Sequence, residues 1–294
     1  MARKKKRITP LTKGVWFLQY LAFQVGMALI RVTPLSLVYR TGHKLGGIAH
    51  GKTRKYRNLV RKNLQIVTAG QNLTDDQIDH LTKQVFQRTG ANLFSALKTA
   101  TLSEQELAGI VEFENLHLVE EATSQGKGLI FLLAHMGNWE LIAQIATFLP
   151  QGVRGGTHYR PLKNPFINRA IEAQRSRLGT KLFAKRASTH LISQFIREGN
   201  VVGILSDQRT GSRGDRVNFF GKEVPCTPMP ALLAKRTGAK VLALSVSTAG
   251  IGKWRMKIHP IDGLHTTANF MKALEEALRE SPTDGFWFQD RWRS

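Results

Sequence analysis

The spacing of apolar and polar positions changes character three times along the chain. From Val15 to Ile30 the residues are apolar with few breaks, chiefly Gln19 and Gln24. From Pro34 to about Thr101 apolar residues recur at helical spacing, first in Leu59, Val60, Leu64 and Val67 and again in Ile78, Leu81, Val85 and Phe86, which predicts a helical region. Beyond about Glu112 short apolar runs alternate with amphipathic stretches, the texture of an α/β fold. Gly128 to Ala134, Val201 to Ser206 and Lys240 to Ser247 are predicted buried strands, and Trp254 to His259 alternates like one more. Asn164 to Leu178, Thr189 to Glu198, Pro230 to Thr237 and Thr267 to Glu280 are predicted helices. The expected architecture is α/β, with a mixed central sheet covered by helices. Its expected divisions are 1–33, a basic start and membrane-associating helix; 34–111, helical; and 112–294, the α/β region.

The first apolar run is shorter than the roughly 20 residues that cross a bilayer, and no small-residue cleavage site closes it, which argues against a signal peptide. Arg3, Lys4, Lys5, Lys6 and Arg7 precede it, like the cytoplasmic basic flank of a membrane anchor. A tilted or interfacial helix is therefore expected. The alternative is an ordinary surface-packed helix with Trp16, Phe17, Tyr20, Leu21, Phe23 and Met27 as its apolar stripe.

Composition narrows the partners. The 294 residues carry 43 Lys+Arg against 21 Asp+Glu, a formal net charge of +22, which attracts nucleic acid, anionic lipid or an acidic carrier protein. No helix-turn-helix, zinc-finger or RNA-binding sheet motif accompanies the charge, so nucleic acid is the weakest of the three. Lys52, Arg54, Lys55, Arg57, Arg61 and Lys62 form either a solvated helix face or a seat for anionic headgroups. A single cysteine, Cys226, excludes an internal disulfide framework and a cysteine-based zinc site, and fits a cytoplasmic body.

The candidate chemistry begins at His135, directly after a predicted strand, with Glu140 in the opening of the next helix and Asn138 as its expected N-cap. On one continuous helix residues five apart point about 140° away from each other, so only a strand-turn-helix junction brings these two side chains together. A carboxylate there accepts a hydrogen bond from one imidazole nitrogen and leaves the other free as a general base, a His-carboxylate pair without a protein nucleophile. Taken alone, the two residues read equally as a satisfied strand-end histidine and an acidic residue near a helix N-terminus.

Other segments bear on that choice. Ala134-His135-Met136-Gly137-Asn138-Trp139-Glu140 is followed by Tyr159-Arg160-Pro161 with Asn164-Pro165. Then come Arg175 and Arg177 in Gln-Arg-Ser-Arg-Leu-Gly, Ser206-Asp207-Gln208 at a strand end, Phe219-Phe220-Gly221 with Pro225 to Pro230, and a closing Phe286-Trp287-Phe288 with Arg291-Trp292. Together these blocks resemble the bacterial lipid A late acyltransferases, the lauroyl and myristoyl transferases that share a His-x4-Asp/Glu motif with glycerolipid acyltransferases. The resemblance covers nearly the whole chain and is less specific about the acceptor, because related enzymes act on other glycolipids and aminolipids.

The resemblance implies an enzyme on the cytoplasmic face of the inner membrane that carries an acyl chain from acyl carrier protein to a hydroxyl of a lipid A precursor, with no metal or redox cofactor. It marks His135, Glu140, Arg175 and Asp207 as critical, with Arg160 next. Arg175 and Arg177 are expected to hold a phosphate or sugar of the acceptor through their guanidinium donors, or else to form a solvated helix face. Asp207, at a strand end where open α/β sheets meet ligands, is expected to pair with Arg175, to orient the acceptor, or merely to cap the strand. Arg160 either contacts phosphate or braces its loop. His158, His190, His259 and His265 match no pattern, and Cys226 has no histidine partner that would make it a nucleophile.

Overall fold

A computed structural model describes residues 9–185, 187–211 and 214–293 of the chain. The basic run Arg3 to Arg7 lies outside them. Four helices come first: α1 (Pro10–Val32), α2 (Leu35–Lys52), α3 (Arg54–Val67) and α4 (Asp75–Thr99). A short α5 (Glu104–Ala108) leads to β1 (Val111–Glu114), α6 (His117–Ser124) and β2 (Leu129–Leu133). A 3-10 helix (Trp139–Phe148) precedes β3 (Gly155–Tyr159), α7 (Pro165–Ser176), β4 (Lys181–Ala184), α8 (Thr189–Arg197) and β5 (Val201–Leu205). The hairpin β6 (Asp215–Phe219) and β7 (Lys222–Cys226) is followed by α9 (Met229–Thr237), β8 (Lys240–Gly250), β9 (Lys253–His259) and α10 (Thr267–Glu280).

Seven strands form the central sheet in the order β1-β9-β8-β2-β5-β3-β4. All neighbours are parallel except β8 and β9, an antiparallel pair joined by a tight turn. The sheet is thus mixed, with helices on both sides, as the apolar runs predict. Strand β2 shows why. Ile130 and Leu132 enter one core with α3, α4, α8, α9 and α10, while Leu129, Phe131 and Leu133 enter the other with Tyr39, Leu107, Val119 and Trp254. Successive side chains of a strand face opposite ways, so a five-residue run buried throughout requires an apolar layer on each face.

Helix α1 is longer than the apolar run alone indicates. Thr9 caps it, its hydroxyl accepting from the Thr12 amide at 3.2 Å, and Pro10 takes the first turn, where its missing N–H is harmless. The resulting 23 residues are long and apolar enough to cross a membrane by length and composition, so shortness is no argument against a span. Helices α2 and α4 cross closely at glycines. A Cβ added to Gly46 would lie 2.2 Å from the Phe86 carbonyl oxygen, and one added to Gly90 would lie 2.4 Å from that of Gly42. That crossing is the structural content of a stretch in which the sequence offers no chemistry.

The short strands β3 and β4 and the hairpin β6–β7 are not indicated by apolar periodicity. Gly155-Gly-Thr-His-Tyr and Lys181-Leu-Phe-Ala are too short and too polar to stand out, and among the described residues β1 and β4 form the two edges of the sheet.

Candidate active site

The register of two parallel strands builds the site. Each β2 residue pairs with the β5 residue seventy-two positions later, from Leu129 with Val201 to Leu133 with Leu205. The Ser206 amide continues the ladder onto the Leu133 carbonyl at 2.9 Å. Two residues further on each strand come His135 and Asp207, and the same offset sets them side by side, with His135 Nδ1 and Asp207 Oδ1 2.7 Å apart. Their side chains are 17% and 13% exposed. Burial by itself pulls the His135 imidazolium down, but the charge and hydrogen bond of Asp207, helped by Glu140, outweigh it and the pKa ends above the ordinary histidine value. Burial likewise pushes Asp207 up, and the charge and hydrogen bond of His135 bring it below the usual carboxylate range.

This arrangement corrects the expected partner of His135. The chain turns sharply at Gly137, whose φ of +55° suits glycine, and whose close approach leaves a Cβ only 2.2 Å from the Val246 carbonyl oxygen. Beyond the turn Asn138 holds the expected N-cap position, but of a 3-10 helix and without a capping bond from its side chain. Its side chain is buried and donates to Thr99 Oγ1 at 3.2 Å, and the segment that follows winds as a 3-10 helix. Glu140 is thereby aimed at α7. Arg175 grips it with two parallel bonds, Nε to Oε2 at 2.9 Å and Nη2 to Oε1 at 2.7 Å, the bidentate geometry that gives guanidinium-carboxylate pairs their strength. Burial lowers the Arg175 pKa, and the Glu140 hydrogen bonds and charge raise it by more. Asp207 therefore does not pair with Arg175, and Glu140 reaches His135 through its charge only.

His135 and the Glu140–Arg175 pair open on one pocket of about 320 Å³, with Asp207 behind His135; the pocket lining includes His135, Trp139, Glu140, His158, Tyr159, Arg160, Arg175, Lys185 and Gln208. Arg160 is exposed at this pocket. Arg177 is elsewhere. Residues two apart on a helix point about 200° apart, so with Arg175 turned inward Arg177 turns outward. Its Nε donates to the Ala100 carbonyl at 3.2 Å and its Nη2 to that of Leu102, beyond the end of α4.

Three further pocket residues have no role legible in the sequence. Gln208 follows Asp207 and lays its amide nitrogen against the imidazole, 3.1 Å from His135 Nε2 and 3.3 Å from Nδ1. His158 immediately precedes the Tyr159-Arg160 block and lines the pocket, although it matches no sequence pattern. Burial, with the Lys185 charge, lowers its pKa, against a hydrogen bond that the ring donates to the Lys185 backbone and that raises it. Tyr159 donates to Glu172 on α7, and burial together with that carboxylate pushes the phenol up to about 12.

The closing aromatic-basic segment is the brace of the site. The Phe286 amide donates to the His135 carbonyl at 2.8 Å and the Gly137 amide to the Asp284 carbonyl at 2.9 Å. Arg291, buried, donates from Nε to the Asp207 carbonyl at 2.6 Å and from Nη1 to that of Pro225 at 3.2 Å. Its Nη2 lies 2.8 Å from Cys226 Sγ. Burial raises the Cys226 thiol pKa despite the Arg291 charge, the opposite of what a nucleophilic thiolate needs.

The pattern of known proteins agrees with this picture. The sequence profile of a family described as bacterial lipid A biosynthesis acyltransferase matches residues 3–294. A lipid A biosynthesis acyltransferase of Haemophilus influenzae is 27% identical over 249 residues, 84% of this chain and 74% of the relative. The lipid A biosynthesis lauroyltransferase of Escherichia coli K12 is 22% identical over 304 residues, 100% of this chain and 97% of its own length. A phosphatidylinositol mannoside acyltransferase of Mycolicibacterium smegmatis is 22% identical over 294 residues, 92% of this chain and 90% of that protein.

Proposed function

The chain belongs to the bacterial lipid A biosynthesis acyltransferase family, and from that premise we propose that it moves a fatty acyl group from acyl carrier protein to a hydroxyl of a lipid A precursor, with His135 as general base. The observation that carries this reading is the 2.7 Å bond between His135 Nδ1 and Asp207 beside a pocket that also holds Glu140 and Arg175. With Asp207 accepting from Nδ1–H, the neutral imidazole has its lone pair on Nε2, the tautomer a general base needs.

In the proposed reaction Nε2 takes the proton of the acceptor hydroxyl as its oxygen attacks the thioester carbonyl. Asp207 stabilises the imidazolium that forms. The tetrahedral intermediate collapses, the carbon–sulfur bond breaks, and the departing thiolate takes the proton back from His135, leaving an ester and a free carrier thiol. The carbonyl oxygen carries the negative charge meanwhile and needs a donor within hydrogen-bond reach. Gln208 is suited to that role. Its amide faces Nε2 in the free enzyme and is released when the acceptor hydroxyl takes its place.

Glu140 acts in this scheme as half of a rigid pair with Arg175, holding one wall of the pocket and adding negative potential near His135. Arg160 and Lys185 at the same pocket supply cations for a phosphate of the acceptor. Arg177 has no part in the transfer. The excess of positive charge, +22, suits three anionic partners: the carrier protein, a phosphorylated lipid and the cytoplasmic leaflet of the inner membrane.

A second acceptor has a specific observation behind it, because the phosphatidylinositol mannoside acyltransferase of M. smegmatis matches at the same identity as the lauroyltransferase of E. coli and over nearly as much of each chain. The test is acyl transfer in detergent micelles from labelled lauroyl- and myristoyl-acyl carrier protein, offered a tetra-acylated lipid A precursor or a mannosylated phosphatidylinositol, with His135→Ala as control. Transfer to the precursor that disappears in the control supports the proposal. Transfer only to the mannolipid keeps the chemistry and moves the acceptor, and transfer that survives His135→Ala removes the general base.

A further inference from the structure

We propose that α1 lies in the plane of the membrane, sunk by its outer face into one leaflet and packed by its inner face along the catalytic body, and does not cross the bilayer. This rests on the membrane-associated reading of the enzyme and specifies its geometry.

Helix α1 is apolar on two faces. Its inner stripe, Trp16, Tyr20, Phe23 and Met27, is spaced by four, three and four residues and faces the body, with Met27 only 2% exposed. On the outer side Leu11, Leu18, Val25, Leu29 and Val32 are each between 62% and 82% exposed. A helix resting on a protein in water presents a polar outer face; this one requires an apolar covering. Lys13 and Arg31 stand two residues from Leu11 and Leu29, about 200° round the helix, so these exposed cations lie at its two ends on the edge toward the body. A wholly apolar outer strip, with cations along its body-side edge and a net charge of +22 on the chain, complements an anionic lipid surface whose headgroups meet the charges.

The inner side decides between lying and crossing. At one end Asn164, the N-cap of α7, donates to the Trp16 carbonyl at 2.9 Å and to Gln19 Oε1 at 3.1 Å. The Phe166 ring packs on Phe17 and Tyr20. At the other end Arg31 shares a cleft with Lys98, Gln174 and Arg177, and Lys98 Nζ donates to the Arg31 carbonyl at 2.6 Å. From Trp16 to Arg31, roughly 22 Å of helix at 1.5 Å per residue, α1 runs beside α7. Were α1 to cross the hydrocarbon, α7 would be carried into it with Arg169, Glu172 and Arg175, and charged side chains in a bilayer core are expensive. With α1 in the plane, these residues and the Arg177–Lys98 cleft stay at the headgroup level.

The placement ties the membrane to the site. Helix α7 bears Arg175, whose guanidinium fixes Glu140. The depth of α1 therefore sets the height of the pocket over the leaflet, and an acceptor presents its hydroxyl to His135 without leaving the membrane.

Single cysteines at Leu11, Leu21 and Leu29 of the full chain, labelled with an environment-sensitive fluorophore, test this in vesicles of phosphatidylethanolamine and phosphatidylglycerol. The lipids carry bromine either near the headgroup or near the chain end. Cys226 is fully buried and stays unlabelled, which labelling of the parent chain checks. The expected result is stronger quenching by shallow than by deep bromine at all three positions, to within about twofold of one another, weakening severalfold when phosphatidylglycerol is omitted. Deep-bromine quenching strongest at Leu21, with Leu11 and Leu29 shallow, means a crossing helix and overturns the proposal. Absence of quenching overturns it too, and disulfide cross-linking between copies at Leu21 then identifies a second copy as the covering. The readout is independent of acyl transfer, so an inactive chain with the in-plane pattern costs the functional reading and leaves this one standing.

Discussion

His135 Nδ1 and Asp207 Oδ1 lie 2.7 Å apart because β2 and β5 run parallel at a fixed offset and each continues for two residues past its last paired position. The dyad is thus a product of sheet register, and the rigidity of two buried strands is what holds it. Glu140, closer to His135 in sequence, is diverted to Arg175 by the turn at Gly137.

Asp207→Asn is expected to lower kcat by about 10²- to 10⁴-fold, the range for a misoriented or unsupported general base, with a diagnostic pH effect. In the parent the charge of Asp207 outweighs burial and raises the His135 pKa. His135 must be neutral to act, so kcat/KM rises with pH through a value above the ordinary histidine value of about 6.5. Without that charge burial remains as the largest influence and lowers the pKa, so the acidic limb moves to lower pH while the plateau falls. A limb that stays in place in the variant would mean that another group governs the profile.

Glu140 and Arg175 are expected to behave as one unit. Removing either leaves the other partly buried without its partner, so Glu140→Ala, Arg175→Ala and the double variant should be similarly impaired. The coupling, from kcat/KM across the cycle, should be about 0.5–3 kcal/mol. Arg175→Lys is expected to recover little, because an ammonium cannot make the paired Nε and Nη2 contacts. Additive losses would instead show that each residue serves the substrate independently.

Why the residues of this site were readable and their pairing was not follows from where the signal lies. Val201 to Leu205 and Leu129 to Leu133 are unbroken apolar runs, legible as strands because both faces are buried. His135 and Asp207 stood out at their ends. Which strands are neighbours is a property of the whole sheet, with β5 beside β2 although β3 and β4 intervene in sequence, and no local pattern encodes it. The Glu140–Arg175 pair spans thirty-five residues and depends on the turn at Gly137. The opposite orientations of Arg175 and Arg177 follow from helical geometry, since two positions along a helix turn a side chain by about 200°.

Gln208→Ala separates a resting-state contact from a role in the reaction. If the amide stabilises the oxyanion, its loss should lower kcat by about 10²- to 10³-fold, as for a single oxyanion-hole donor, with KM little changed. Its removal also takes a donor from neutral Nε2, so the acidic limb of kcat/KM should move slightly to higher pH, opposite to Asp207→Asn. An unchanged kcat with a shifted limb would confine Gln208 to the free enzyme.

The carboxylate of Asp284 bears on stability more than on chemistry. Its side chain is fully buried and accepts from Arg88 Nη1 at 2.8 Å, from the Thr248 amide at 3.0 Å and hydroxyl at 2.6 Å, and from Ser281 Oγ at 2.7 Å. Its carbonyl holds the Gly137 amide. Asp284→Ala would strip the partner from a guanidinium that is 33% exposed and leave the Thr248 amide unsatisfied. The expected loss is about 3 kcal/mol, the low end for breaking a buried ion pair, because Arg88 can regain some water. Asp284→Asn keeps one acceptor oxygen, enough for the Thr248 amide, Ser281 and Arg88 that share Oδ2, but loses the charge and turns the other oxygen into an NH2 facing the Asn92 amide and the Thr248 hydroxyl, and should still cost less than alanine. Denaturant melts of both variants check the order: a lower midpoint at unchanged slope, larger for alanine. An asparagine variant as unstable as the alanine one would place the stabilisation in the Arg88 ion pair and not in the hydrogen bonds around it.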